Sequence, residues 1–223
     1  MPLPPHIFCG PLPTFDKTNW RAICHAFEGA ASQALGQAWL TEPEAGFMPA
    51  VVKVGWRGQS LLVLAELTDS DIFTHAARSN EKLWELGDVF EIFLRPAEQQ
   101  SYFEFHVAPS NLTLQLRFPN AAAVAQVRKT ESIDDLLIHD AVFQSRTWVQ
   151  SEARRWFVFA EIPVATVSEQ NKSLPGSRWF FSFCRYDYSA GSTTPIISST
   201  SAHTKPDFHR QDEWGAMLFQ SGG

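Results

Sequence analysis

The sequence predicts an all-β fold: a single antiparallel β-sandwich, immunoglobulin-like or jelly-roll, of roughly ten strands with little helix. Short β-rich runs recur along the chain, turn residues separate them, and apolar periodicity of the helical kind is scarce. A chain of 223 residues can also bury one full core without disulfides or metals. We therefore expect one domain over residues 16–223, preceded by a proline-rich strap or tail over residues 1–15.

Two hairpins anchor the strand prediction. The segments "RGQS", with Gly58 in its turn, and "QSEAR" each separate two β-rich runs. The predicted strands are 50–56, 61–67, 88–94, 102–107, 112–118, 141–149, 155–162, 179–186 and 215–219. Two regions have weak helical character: 30–40 forms a short helix or a ragged strand, and 164–171 forms one or two helical turns.

The charge balance excludes some classes of partner. The chain has 18 Lys and Arg against 24 Asp and Glu, a formal charge of −6. Nucleic acid and anionic membranes need clustered positive charge, so we expect neither as a partner. No apolar run approaches the ~20 residues of a membrane span, and no secretory signal is recognisable. We expect a soluble chain, cytoplasmic as it stands or extracytoplasmic if its start has been trimmed.

Strand parity places several polar side chains on one face of a sheet. Alternate residues of strand 88–94 form an apolar core face, which puts Glu91 on the opposite face. By the same alternation Glu104 and His106 share a face of strand 102–107, and Tyr186 lies on the polar face of strand 179–186. If these strands are neighbours, the result is a polar and aromatic surface, which is typical of ligand-binding sheets and of solvated ones.

Arg185 falls on the phenylalanine-rich face of strand 179–186. A cation there is usually buried or at the rim and paired with a carboxylate, and Asp88 is the candidate partner. We also keep Arg185 among the candidate ligand contacts.

Enzymatic motifs are weak. Asp88 and Glu91 are three residues apart and face opposite ways, so they do not suit a glycosidase pair; Glu91 with Glu104 is the better pair. Nucleophile elbows, phosphate loops and dinucleotide fingerprints are missing. His203, Asp207 and His209 offer metal ligands in one loop, or simply form a polar loop over the sandwich end, and we assign no metal site.

Six segments, in this order, resemble family 9 carbohydrate-binding modules, within the wider group of DOMON-like β-sandwiches. They are "WRGQSLLVLAELTDSDI", "LWELGDVFEIFLRP", "YFEFHVAPSN", "FVFAEIP", "WFFSFCRYDYS" and "PDFHRQDEWGAMLF". The resemblance covers residues 49–220. It implies a non-catalytic module that holds a mono- or oligosaccharide between two aromatic rings.

The resemblance also implies roles for residues. Trp84 matches the first stacking ring, Glu91 the acid that accepts sugar hydroxyls, and Phe208 the position of the second stacking ring. His106 stands where the family has an arginine, and Cys184 where it has a glutamine. With the face analysis, the candidate ligand-binding residues are Trp84, Glu91, Glu104, His106, Arg185, Tyr186 and Phe208.

Cofactors and partners follow from the same resemblance. It requires no cofactor, allows structural calcium, and allows a separate carbohydrate-active enzyme as a partner. Two alternatives stay open. The first is a DOMON-like haem or cofactor carrier, for which His106 is the histidine that faces the cleft from a strand and the methionines are Met1, Met48 and Met217. The second is an accessory structural domain or a glycoside hydrolase-associated protein.

Overall fold

The structure is a computed structural model that describes residues 4–170 and 174–221. It confirms the predicted all-β sandwich, and the described residues form twelve strands in two sheets. The strands are β1 (His6–Cys9), β2 (Ala31–Ala34), β3 (Ala50–Arg57), β4 (Ser60–Thr68), β5 (Val89–Pro96), β6 (Tyr102–Val107), β7 (Thr113–Phe118), β8 (Gln144–Gln150), β9 (Arg155–Pro163), β10 (Arg178–Asp187), β11 (Ile196–Ser199) and β12 (Gly215–Phe219). The helices are α1 (Trp20–Ala26), α2 (Ala123–Thr130) and α3 (Val164–Val167).

The two sheets pack face to face around the main core. One has the order β1-β12-β10-β5-β6-β7, with β11 beside β10, and the other has the order β2-β3-β4-β9-β8. Within the described residues, β1 pairs with β12 in parallel and the other strand pairs are antiparallel. Alternate residues of β5, Phe90, Ile92 and Leu94, are buried in this core, which confirms the predicted parity.

The sequence pattern does not predict strands β1 and β11 or helices α1 and α2, all of which have four to eight residues. β1, β2 and β11 have four residues each, too few for a clear alternating pattern. β1 lies in the proline-rich segment, and β2 lies in the region expected to be a helix or a ragged strand. α3 begins the predicted 164–171 turn, whose last residue lies outside the described residues. The division into a strap and one domain stays a prediction.

Helix α1 covers the outer face of the five-stranded sheet. Asn19 caps it by accepting hydrogen bonds from the backbone N–H groups of Arg21 and Ala22. Its buried Ile23 packs in one apolar cluster with Leu62 of β4. Strand β4 is therefore buried on both faces, which is why its sequence reads as a continuous apolar run rather than an alternating one.

The outer face of the seven-stranded sheet is also covered, by α2 and by residues 201–214, which we call the cavity loop. A second apolar cluster forms there and includes Phe93 of β5, Val124 of α2 and Phe208 of the cavity loop. The polar face predicted from parity is therefore enclosed rather than solvated. No helix in the described ranges has the length and apolar character needed to cross a bilayer.

Candidate functional site

A cavity of about 240 Å³ lies on the outer face of the seven-stranded sheet. Its floor comes from β5 and β6, whose register sets Glu91 opposite His106 and Phe93 opposite Glu104. The walls come from the 3₁₀ turn Leu83–Glu85, from α2 with the segment after it, and from the cavity loop. The wall residues include Trp84, Val127, Arg128, Ile133, Asp207, Phe208 and His209.

The turn that carries Trp84 depends on a glycine. Gly87, between this turn and β5, has a φ of 135°, which L side chains rarely adopt. A Cβ there would lie 2.7 Å from the carbonyl oxygen of Phe73. Glycine therefore lets the chain turn closely past residue 73 and enter β5.

Four titratable side chains form a chain across the cavity floor. Glu91 Oε1 lies 3.1 Å from His106 Nδ1, and His106 Nε2 lies 3.4 Å from Glu104 Oε2. Glu104 Oε1 is in turn 3.2 Å from His209 Nδ1, which is also 2.9 Å from the Tyr102 hydroxyl. We call Glu91, His106, Glu104 and His209 the acid–histidine chain.

Some polar atoms in this chain have no well-directed hydrogen bond. Glu104 Oε1 and His106 Nδ1 are buried without a hydrogen-bond partner, although each lies within ion-pair distance of a neighbour. Glu91, only 2 % exposed, contacts His106 but makes no hydrogen bond to any described residue. Unpaired buried polar groups are costly and uncommon, and Glu91, which lines the cavity, keeps acceptor capacity for a hydrogen-bond donor there.

Burial and mutual contact shift the pKa values of the chain. Burial raises the pKa of Glu91 to about 7, although His106 opposes the shift. Burial alone would lower the pKa of His106 and His209, but the facing carboxylates raise both above their ordinary value. Burial opposes ionisation of Glu104, yet the two histidines hold its pKa below its ordinary value. Glu104 is therefore the fixed anion, and Glu91 titrates near neutrality.

Aromatic rings surround the chain. The rings of Trp84 and His106 meet edge to face, with centroids 5.5 Å apart. Phe208 meets Phe93 and Tyr186 in the same manner, with centroids 6.2 and 5.7 Å away. The cavity thus combines ring surfaces with a carboxylate and imidazole floor.

Six of the seven candidate ligand-binding residues line this cavity; they are Trp84, Glu91, Glu104, His106, Tyr186 and Phe208. The other, Arg185, lies on the opposite face of β10, as parity requires. Cys184 pairs with Glu91 across β10 and β5, but its buried thiol contacts Ser182 and Ser199 rather than the cavity.

Sequence reasoning missed His209 as a member of this site and treated it only as a metal candidate. Its ring joins the chain through Glu104, whereas Asp207 pairs with Arg128 and His203 contacts Glu213. The three metal candidates therefore face three different partners. His209 follows Phe208 directly, and that adjacency to a stacking candidate was the signal available in the sequence.

Arg185 is a buried structural cation. Its guanidinium contacts Asp69 at 2.9 Å and Asp187 at 3.1 Å, and it donates to the backbone carbonyl of Thr68. The expected partner Asp88 is not in direct contact with it: the Asp88 carboxylate accepts backbone hydrogen bonds instead. The prediction of a buried, paired cation is right, and its predicted partner is wrong.

The resemblance allows calcium, and one group of residues has the chemistry to hold it. Oxygen atoms of Asp69, Asp88 and Asp187 lie within 4.8 Å of one another, and all three residues are buried. Burial raises the pKa of Asp88 to about 8 and that of Asp187 to about 7, and the neighbouring Asp69 carboxylate adds to both shifts, although Arg185 opposes the shift of Asp187. Carboxylates are the ligands that calcium prefers, so this group would hold the ion.

Taken together, a two-sheet sandwich and a ring-lined polar cavity define a small-molecule binding module of the all-β class. A family model described as carbohydrate family 9 binding domain-like matches residues 23–221. The chain belongs to this family.

Solved structures give the same fold at low sequence identity. A putative carbohydrate-binding protein from Bacteroides uniformis superposes with a TM-score of 0.71 at 14% identity, covering 97% of this chain and 99% of its own. A family 9 module from Caldicellulosiruptor kristjanssonii, solved with cellotriose, has a TM-score of 0.64 at 14% identity, covering 98% and 95%. A family 9 module from the same organism, solved with glucose, has a TM-score of 0.63 at 14% identity, covering 98% and 97%. No curated protein matches the chain.

We expect Arg185→Met to unfold the protein more easily, with a loss of about 3–5 kcal/mol in the free energy of unfolding, because it leaves buried carboxylates without their cation. Urea denaturation followed by tryptophan fluorescence measures the loss. The control is Arg21→Met, since that side chain is exposed on α1. Equal midpoints for the two variants would show that Arg185 is not the structural cation.

Proposed function

We propose that the protein is a non-catalytic carbohydrate-binding module that holds one sugar unit in the cavity, either a monosaccharide or one residue of an oligosaccharide. The observation that carries this proposal is the buried, incompletely hydrogen-bonded acid–histidine chain beneath aromatic walls. Structures of similar family 9 modules with glucose and with cellotriose support the ligand class. A separate carbohydrate-active enzyme as partner stays a prediction.

The chemistry of a sugar suits both parts of the cavity. The C–H face of a pyranose packs on an aromatic ring such as Trp84 or Phe208. Its hydroxyls donate to carboxylates in charge-assisted hydrogen bonds, and Glu91 has acceptor capacity to spare. A cavity of about 240 Å³ is smaller than the usual drug-sized pocket, which supports a single sugar ring.

The two carboxylates are poorly placed for glycoside hydrolysis. A glycosidase holds the bond it cleaves between its two acids. Here the imidazole of His106 lies between Glu91 and Glu104 and contacts both. The space that a glycosidic bond would need is occupied, which supports binding rather than cleavage.

Ser182, His203 and Glu213 are in contact in the serine–histidine–acid order of a hydrolytic triad. Ser182 Oγ lies 3.4 Å from His203 Nε2, and His203 Nδ1 lies 3.3 Å from Glu213 Oε2. Ser182 and His203 are both 0 % exposed, and neither lines the cavity. An acyl substrate has no route to this serine, so the arrangement supports a structural role.

The haem alternative has less support. An axial histidine needs a free ring nitrogen for the iron. Both ring nitrogens of His106 face carboxylates, at 3.1 and 3.4 Å. In the sugar proposal His106 keeps both carboxylate contacts, whereas ligation of haem iron would break one of them.

Saccharide titration followed by tryptophan fluorescence tests the proposal. Wild-type protein is expected to give a saturable change with glucose or a cello-oligosaccharide. Glu91→Gln should weaken binding at least tenfold, because a charge-assisted hydrogen bond contributes about 1.5–3 kcal/mol. Trp84→Ala should weaken it as well, because the platform ring is lost.

Two matched controls accompany this titration. Trp148→Ala removes a ring that stacks on Trp20, on the five-stranded sheet. Glu152→Gln removes an exposed carboxylate in the turn before β9. Both should bind like wild type. Failure of every saccharide to bind folded wild-type protein, or equal affinity in all four variants, would refute the proposed function.

Sugar affinity should rise with pH through about 7. Burial raises the pKa of Glu91 to about 7, so this carboxyl is protonated below that pH and accepts sugar hydroxyls fully only above it. Binding should therefore release a proton, visible by calorimetry in buffers of different ionisation enthalpy. Glu91 faces His106 and Glu104, and His209 also acts on it. The Glu91→Gln variant separates the titration of Glu91 from that of these three neighbours. An unchanged pH profile of sugar affinity in that variant would show that Glu91 is not the titrating group.

A further inference from the structure

The cavity loop carries four residues that line the cavity, Pro206, Asp207, Phe208 and His209, yet it has little regular structure of its own. Residues 201–214 contain one short 3₁₀ turn, Gln211–Glu213, and no strand. Phe208 and His209 lie in the middle of this loop and both line the cavity. Ordering such a segment costs conformational entropy, so side-chain contacts must hold it in place.

Glu213 makes five of those contacts. Its carboxylate accepts hydrogen bonds from the backbone N–H and the hydroxyl of Thr204, at 3.1 and 2.7 Å. It also accepts two from the Arg210 guanidinium, both at 2.7 Å, and it lies 3.3 Å from His203 Nδ1. One carboxylate therefore ties the start of the loop, at 203–204, to its end, at 210–213.

The same carboxylate connects the loop to the sheet. His203 contacts Glu213 through Nδ1 and Ser182 of β10 through Nε2. The end of the loop is fixed beside Phe208, because Trp214 Nε1 donates to the Phe208 carbonyl at 2.7 Å. Hydrogen bonds from Arg210 lower the pKa of Glu213 to about 2, although burial opposes this shift, so its charge persists at neutral pH.

We propose that Glu213 is a positioning residue, which closes the cavity loop on itself and on β10 so that Phe208 and His209 form one wall of the ligand cavity. Glu213 itself does not line the cavity. That the wall serves a sugar rests on the proposed function, whereas the order of the loop does not. The loop is then organised before ligand arrives, which lowers the entropic cost of binding.

Hydrogen–deuterium exchange of the ligand-free protein, with saccharide affinity as a second readout, tests this role. In Glu213→Gln, amide exchange over residues 204–210 should rise at least tenfold, while strand amides stay protected. Sugar affinity should fall about tenfold, because the loop must then be ordered on binding. Thr204→Val, which removes one hydroxyl donor and keeps the side chain's shape, should give a smaller effect in the same direction.

Glu152→Gln is the matched control and should exchange like wild type, because that carboxylate is exposed. Loop exchange in Glu213→Gln equal to this control would overturn the positioning role, whatever happens to sugar binding. Faster loop exchange with unchanged sugar affinity would also overturn it as a device for binding. If wild-type protein binds no saccharide, the proposed function fails, while the exchange data still decide whether Glu213 orders the loop.

Discussion

The site depends on the burial of the acid–histidine chain. Glu91, His106 and Glu104 are buried on the covered face of the sheet, where each alone would be expensive to charge, and His209 joins them from the partly exposed wall. Contacts of 3.1 to 3.4 Å let each group compensate its neighbour. The compensation is incomplete, since Glu91 keeps a pKa near 7 and two polar atoms have no aligned partner. A ligand rich in hydroxyls would complete it.

The β-sandwich positions the acid–histidine chain through the register of two strands and through the elements that cover the sheet. The β5–β6 pairing sets Glu91 against His106, and alternation puts both on the face away from the main core. Helix α2 and the cavity loop then enclose that face, and Arg128 of the helix joins Asp207 of the loop at 2.8 Å. Arg185 precedes the cavity residue Tyr186 on β10, so its side chain points to the opposite face of the sheet. There it is buried and contacts the carboxylates of Asp69 and Asp187.

Strand alternation made much of the site predictable. Parity alone placed Glu91, Glu104 and His106 together and separated Arg185 from them, although the resemblance was needed to add Trp84 and Phe208. Burial was not predictable from parity, because the cover comes from α2 and a loop whose contacts are distant in sequence. The pairing of His209 with Glu104 spans more than one hundred residues, and no local pattern encodes it. The predicted partner of Arg185 was wrong for a similar reason. Asp69, which contacts Arg185, follows the end of β4 and is distant from it in sequence.

The most direct measurement is a crystal structure of the protein soaked with glucose. The sugar ring should lie in the cavity against Trp84, with at least one hydroxyl at hydrogen-bond distance from the Glu91 carboxylate. Glucose bound elsewhere on the molecule, with the cavity filled only by water, would contradict the assignment of the acid–histidine chain as the sugar site.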